Sequence, residues 1–307
     1  MKKTVPWWAC QYPFKPDERR PTVLRADDSL ARTYGRGSDR IPTRLHLSTE
    51  LLTCAQFALM PGSVINPPDI HSGDEVYFVT RGTLTIFNPD TGQTFVARPH
   101  CAFWIPWGTW HTTCNLGPGP AEALSFFSPE IWSRDDRGTD IRYDNTPKTI
   151  DLSQPMPSEL PPTVLPTPTG CLGVHPISGP QGRSEKQMMV VHEDHAVPLV
   201  VGKDHYLLYR FLISNDLIHV ALTDVPVGHQ SDVELHGGDE ILCVLRGVIS
   251  VLIGDVQTNS VTNERLEAKA GEKIYLPGNT PHWYCNFGYE SVLMVKVVAP
   301  SFFCKNE

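Results

Sequence analysis

Short apolar runs broken by Gly and Pro recur along the chain. They read TELLTCAQFALM (Thr49–Met60), EVYFVT (Glu75–Thr80) and TLTIF (Thr83–Phe87), then HYLLYRFLI (His205–Ile213), LIHVALTDV (Leu217–Val225), EILCVL (Glu240–Leu245) and VISVLI (Val248–Ile253). Their shortness and their β-branched and aromatic content predict strands. Arg81-Gly82 and Arg246-Gly247 stand between paired runs and predict hairpin turns. Helix is predicted only as a short turn near Ser128–Asp135. The pattern predicts an all-β chain of two antiparallel barrels or sandwiches.

The pattern is also duplicated. PGSVINPPDIHSGDEVYFVTRGTLTI (Pro61–Ile86) aligns with VGHQSDVELHGGDEILCVLRGVISV (Val227–Val251), and IPWGTWHTTCN (Ile105–Asn115) with LPGNTPHWYCN (Leu276–Asn286). Two matches in the same order mark a tandem duplication. Between the copies, Asn145–Pro180 is proline-rich with little apolar periodicity and reads as an extended connector. The organisation expected is a first domain over 1–150, a proline-rich linker over 151–184 and a second domain over 185–307.

Composition narrows the partners. The 307 residues are 40% apolar and 20% charged, enough for two cores and too apolar for wholesale disorder. A net charge of -8 argues against nucleic acid or an anionic membrane, since both require excess Lys and Arg. No apolar stretch is long enough to span a bilayer, and Pro6, Gln11, Pro13 and Lys15 interrupt any signal-like region, so a cytoplasmic address is the default. The eight cysteines include no Cys-x-x-Cys pair and read as buried packing residues.

The chemistry lies in the repeats. Asp69 and His71 are two apart, so on a strand both leave the same face. Glu75 follows after a turn, and a return strand bearing His111 can close on them. Glu234, His236, Glu240 and His282 repeat the set. Imidazoles and carboxylates converging on one point are a ligand set for a first-row divalent ion, with Asp69 and Glu234 as fourth ligands or as acceptors steadying the His rings. Trp104, Trp107 and Trp110 precede His111, and Tyr284 shares an inward face with His282 while Trp283 points out. Trp104, Trp110, Tyr284 and Arg81 are the candidates for lining a substrate pocket; the competing reading has the rings pack the barrel and the domain interface, with Arg81 and Arg246 solvated at their hairpin turns. Cys114 and Cys285 face away from the ligands. Lys296 interrupts the apolar run Val292–Val298 and either lines the second barrel or snorkels from a sheet edge, the edge being the leading reading.

At these motifs the chain resembles the two-domain bicupins of the cupin superfamily. The family's first motif is matched by Gly62, His71, Glu75 and Gly82, and again by Gly228, His236, Glu240 and Gly247. The second is matched by Pro106, Gly108, His111 and Asn115, with His100 in place of the leading Gly. It recurs as Gly271, Pro277, His282 and Asn286, with Asn279 in place of the inner Gly. The resemblance implies two tandem cupin (double-stranded β-helix, or jelly-roll) barrels. Asp69 and Glu234 stand where the family has the first His of His-x-His, which sets the chain apart from the three-His-one-Glu oxalate-handling branch.

Two carboxylates present harder ligands and favour Fe(II), with Mn(II) or Zn(II) as alternatives. The leading expectation is a non-haem iron dioxygenase acting on a small, aromatic or otherwise planar, hydroxy or keto substrate. The alternatives are a metal-dependent isomerase or epimerase of a sugar or keto acid, and a non-catalytic binding or storage bicupin. A small-molecule partner is expected, with no nucleic acid and no membrane, and homo-oligomerisation is left open.

Overall fold

The computed structural model describes residues 10–35, 40–66, 68–129, 131, 172–255 and 260–302. The first ten strands are β1 (Thr22–Leu24), β2 (Leu30–Tyr34), β3 (Ile41–Ser48), β4 (Thr53–Leu59), β5 (Asp74–Arg81), β6 (Leu84–Phe87), β7 (Thr94–Ala97), β8 (Cys101–Ile105), β9 (Thr112–Cys114) and β10 (Ala121–Ser128). The second ten repeat them as β11 (Met189–His192), β12 (Val197–Val201), β13 (Leu207–Ser214), β14 (His219–Val225), β15 (Asp239–Arg246), β16 (Val248–Asp255), β17 (Ser260–Lys269), β18 (Lys273–Leu276), β19 (His282–Cys285) and β20 (Val292–Ala299). Each half folds a seven-stranded sheet over a three-stranded one, giving two antiparallel barrels of the expected all-β class.

The halves exchange their first strands. Sheet order is β1-β18-β15-β20-β14-β13-β12 in one large sheet and β11-β8-β5-β10-β4-β3-β2 in the other. Thr22 therefore pairs with Tyr275, and Met189 with Trp104. Division at 150 and 185 follows the repeat in the sequence, while the hydrogen bonding crosses it at both ends. Most of the connector, up to residue 171, and most of the turn expected near Ser128–Asp135 fall outside the described residues. The one α-helix among those described, α1 (Gly179–Glu185), opens inside the segment read as linker, with Gly182 against the Trp104 ring.

Strand alternation explains the three cores. On β20, Val292, Met294 and Val298 face the second barrel's interior, while Val295, Val297 and Ala299 face the other half. On β8, Cys101, Phe103 and Ile105 face the first barrel's interior, while Ala102 and Trp104 join the core between the halves. The large sheets are thus apolar on both faces, as required when one side is a barrel core and the other an interface.

Two aspartates pin that interface. Asp74, fully buried, accepts hydrogen bonds from Trp104 Nε1 (3.1 Å), the Trp107 amide (3.0 Å), Arg183 Nη1 (2.9 Å) and Asn215 Nδ2 (3.1 Å). Its repeat, Asp239, accepts from Thr49 Oγ1 (2.9 Å), Tyr275 OH (3.1 Å) and the Gly278 amide (3.2 Å). Two non-glycine residues hold positive φ where the motif has Gly: His100 at 64° and Asn279 at 62°, matching Gly271 at 89° and Gly108 at 67° in the opposite copies. The left-handed turn is retained even where its usual residue is replaced.

Burial also makes the fold sensitive to acid. His175 is fully buried with neither ring nitrogen hydrogen-bonded, and burial lowers its pKa from 6.5 to about 4. The unfolded chain takes up this proton below pH 6.5 and the folded chain does not. The neutral ring's contribution is full above pH 6.5 and is lost as pH falls toward 4, by about 3 kcal/mol. His175→Phe should remove that loss. Urea unfolding of both proteins at pH 7 and 4.5 checks it; a stability difference that does not change between the two pH values contradicts the neutral ring.

Candidate metal centres in the two barrels

In the first barrel, register brings the ligand set together. Asp69 and His111 form an isolated antiparallel bridge, with Asp69 N to His111 O at 2.8 Å and His111 N to Asp69 O at 3.0 Å. Glu75 stands at the head of β5, and the Gly108 amide donates to the His71 carbonyl at 2.9 Å. Ligand atoms of Asp69, His71 and His111 lie within 4.8 Å of one another. Glu75 Oε2 is 3.4 Å from His71 Nε2 and 3.0 Å from His111 Nε2. The motif asparagine plays a different part: Asn115 Nδ2 donates to the Leu59 and Gly119 carbonyls, both at 2.8 Å, and fastens the turn.

The open valences fit a cation. His111 Nδ1 lies 3.1 Å from the Thr109 carbonyl, which fixes Nδ1–H as donor and leaves Nε2 its lone pair. His111 Nε2, Glu75 Oε2 and Asp69 Oδ1 are buried with no hydrogen-bond partner. Atoms that lie 3.0 Å apart without hydrogen-bond alignment are arranged as ligands aimed at a third point. Such burial is costly unless an ion satisfies them.

Charge follows the same geometry. Burial pushes the Asp69 carboxyl up to about 7, against the pull of His111 and a hydrogen bond from Tyr34. Burial lowers His71 to about 4. Burial would also raise Glu75, but His71, His111 and Ser125 Oγ, which donates to Glu75 Oε1 at 2.7 Å, outweigh it and hold the carboxylate below its ordinary value. Burial would lower His111, and Glu75 outweighs it in the other direction. Above the set lies a cavity of about 60 Å³, whose lining includes Tyr34, Thr43, Phe57, Ile65, Tyr77, Ser125 and Phe127.

The second barrel repeats the backbone and alters the contents. Glu234 and His282 form the same bridge, at 2.8 and 3.1 Å, and ligand atoms of Glu234, His236 and His282 lie within 4.8 Å of one another. His236 Nε2 is 3.2 Å from Glu234 Oε2 and 3.3 Å from Glu240 Oε2. Lys296 also enters this cluster. Its Nζ lies 2.5 Å from Glu234 Oε2, 2.8 Å from Tyr284 OH and 3.5 Å from Glu240 Oε2. Tyr284 OH sits 2.8 Å from His282 Nε2 and donates to Glu240 Oε1 at 2.6 Å, and Tyr209 OH donates to Glu234 Oε1.

The structure decides between the placements the sequence leaves open. Lys296 is 1% exposed and inside the barrel, not at an edge, because alternation sets it on the same face as Met294 and Val298. Trp104 lies between the halves, since its alternate neighbours Phe103 and Ile105 take the inward face. Trp107 stacks under Arg183, and Trp110 is half-buried outside the cavity lining. Arg81 stands at the solvent-exposed hairpin, 3.4 Å from Glu122. Tyr284 does share the inward face with His282, and Cys114 and Cys285 are buried packing residues. Tyr34, Ser125 and Tyr209 are site residues that the motifs do not contain, and Tyr77 is one that the first motif contains without marking it. Ser125 leaves a visible trace as the polar break in the apolar run of β10, and Tyr77 as the residue two past Glu75 on β5.

Residues 55–127 match the family model described as cupin domain. No curated protein matches the chain. Among solved structures, AerE from Microcystis aeruginosa is 10% identical, with a TM-score of 0.55 over 88% of this chain and 97% of that one. A Bacillus subtilis oxalate decarboxylase studied for its Mn(II) centres is 15% identical, with a TM-score of 0.58 over 93% of this chain and 78% of that one. The Lactobacillus farciminis oxalate decarboxylase formate complex is 14% identical, with a TM-score of 0.61 over 93% and 87%. Identities this low convey likeness of fold.

Proposed function

We propose that the chain is a bicupin, on a cupin-domain match over residues 55–127 and a likeness of fold that covers both halves, and that its first barrel is a metal-dependent enzyme site of the non-haem iron dioxygenase type. Asp69, His71, Glu75 and His111 would hold the ion. The observation that supports this most is the pair His111 Nε2 and Glu75 Oε2, buried, 3.0 Å apart and without hydrogen-bond partners. Bound there, iron(II) supplies Lewis-acid and one-electron chemistry at the positions the protein leaves open.

The chain's own residues then decide the substrate. With both carboxylates ionised, a divalent ion brings the ligand set to zero net charge. Among the described residues the cavity lining contains no Lys or Arg, so nothing there compensates a dianion such as the oxalate of the structural neighbours. The lining favours a small, largely neutral molecule that presents a hydroxyl or carbonyl oxygen. Phe57, Ile65 and Phe127 would exclude water and pack its apolar part, and Tyr34 would steady Asp69. Were Asp69 to stay outside the ion's shell and steady it through hydrogen bonds, His71, Glu75 and His111 would remain as a two-His-one-carboxylate face.

The test is oxygen uptake by iron(II)-loaded protein with a panel of small hydroxy- and keto-compounds, aromatic ones included. Oxygen consumption matched to substrate loss, and abolished in His111→Ala, is the expected result. Turnover that proceeds undiminished without oxygen would sink the dioxygenase reading and leave an isomerase, epimerase or lyase.

A further inference from the structure

We propose that the second barrel supplies its own cation: the Lys296 ammonium takes the role that a divalent ion takes in the first barrel, so the chain binds one metal ion per molecule, in its first half. The first-half clause rests on the reading above; the statement about the second barrel does not.

The equivalence is set by register. Ser125 pairs with Ala55 and Tyr77, and Lys296 pairs with Ala221 and Leu242, the repeats of those positions. The same inward position thus bears a hydroxyl in one barrel and an ammonium in the other. Two neighbours have changed with it. Tyr209 stands where the first barrel has Thr43, and Tyr284 where it has Thr113. Their rings, with that of Phe302, surround Nζ at 4.9, 5.0 and 5.6 Å from the centroids, an aromatic cage suited to a monovalent cation.

That cage occupies the ligands. Glu234 Oε2 accepts from Nζ at 2.5 Å. Carboxylate oxygens bind such ions at about 2.0–2.2 Å, so an ion on that oxygen could lie no farther than about 4.7 Å from the ammonium. His282 Nε2, the nitrogen whose counterpart in the first barrel lacks any hydrogen-bond partner, is covered by the Tyr284 hydroxyl at 2.8 Å. His236 Nδ1 lies 2.6 Å from the Phe302 carbonyl, and its Nε2 faces Glu234 and Glu240. Glu240 Oε2 has no hydrogen bond but stands 3.5 Å from Nζ, within direct charge pairing. Burial alone would raise both glutamates, yet Lys296 leads the groups that hold them below their ordinary range. The donor set resembles a metal cage, but the ammonium already offsets half of its two-carboxylate charge and, with the Tyr284 hydroxyl, covers the atoms that would ligate.

Metal analysis of the full chain, reconstituted with Mn(II) and desalted, tests this. Wild type should retain one equivalent, lost in His71→Ala and kept in His282→Ala. Lys296→Ser, which installs the first barrel's residue, should retain two. Its melting temperature should fall below wild type in EDTA and recover with Mn(II). Two equivalents in wild type, loss of metal in His282→Ala, or no gain in a folded Lys296→Ser would overturn the inference. Should Lys296→Ser not fold, Lys296→Met with the two histidine variants still gives the count and the location. No metal in wild type but one equivalent in Lys296→Ser would uphold the lysine's role and reject the metal reading of the first barrel.

Discussion

Glu75→Gln lowers the affinity of the first barrel for a divalent ion by more than about 100-fold, the upper end of what losing a mere supporting group costs. Glu75 is the one carboxylate that reaches both imidazoles, at 3.4 and 3.0 Å, and Ser125 fixes its other oxygen. An amide in its place can still accept from Ser125 but brings no charge to the ion. Titration calorimetry with Mn(II) on wild type and variant measures the loss. The wild-type affinity should also climb as pH rises through about 7, because Asp69 must shed its proton before it can ligate. Equal affinities for the two proteins would remove Glu75 from the ligand set.

Asp74→Ala should destabilise the whole chain by about 3–5 kcal/mol, the range for breaking a buried ion pair from one side. It would strip an acceptor from the Trp104 indole, the Trp107 amide and Asn215 at once, and leave the Arg183 guanidinium, 7% exposed, leaning on Asp216 alone. Asp239→Ala should cost less, since the matching guanidinium, Arg19, stands 3.8 Å away rather than 2.9 Å. Urea unfolding followed by tryptophan fluorescence compares the two variants. A loss below 1 kcal/mol for Asp74→Ala, or a larger loss for Asp239→Ala, would contradict the pinning described above.

Much of this was legible in the residues. The ligand positions are visible because a duplicated motif shows them twice in the same order, and the strands because alternation and turn signals agree. Trp104 and Lys296 each have two placements open in the sequence, and alternation decides between them: Phe103 and Ile105, or Met294 and Val298, fix the inward face of each strand. Aromatic clustering and the usual habit of lysine do not decide, because in a sheet buried on both faces hydrophobicity does not separate inside from interface. The strand exchange left no trace at all. Thr22–Leu24 is too short for a period, and its partner lies near the other end of the chain. Tyr34 and Tyr209 belong to strands outside the motifs, so no spacing points to them, whereas Tyr77 and Tyr284 stand two residues past Glu75 and His282 and share their inward faces by alternation.

The crossing of β1 and β11 has a consequence for any attempt to divide the protein. A fragment ending near residue 150 would contain β8 but not the β11 that covers its outer edge, and a β1 with no β18 to join. Bare strand edges seek partners, and the nearest match for a stranded β1 is the β8 of a second identical fragment. Such a fragment should therefore emerge from the cell as a two-fold dimer rather than a lone barrel, recreating between two molecules the embrace that the intact polypeptide makes within one.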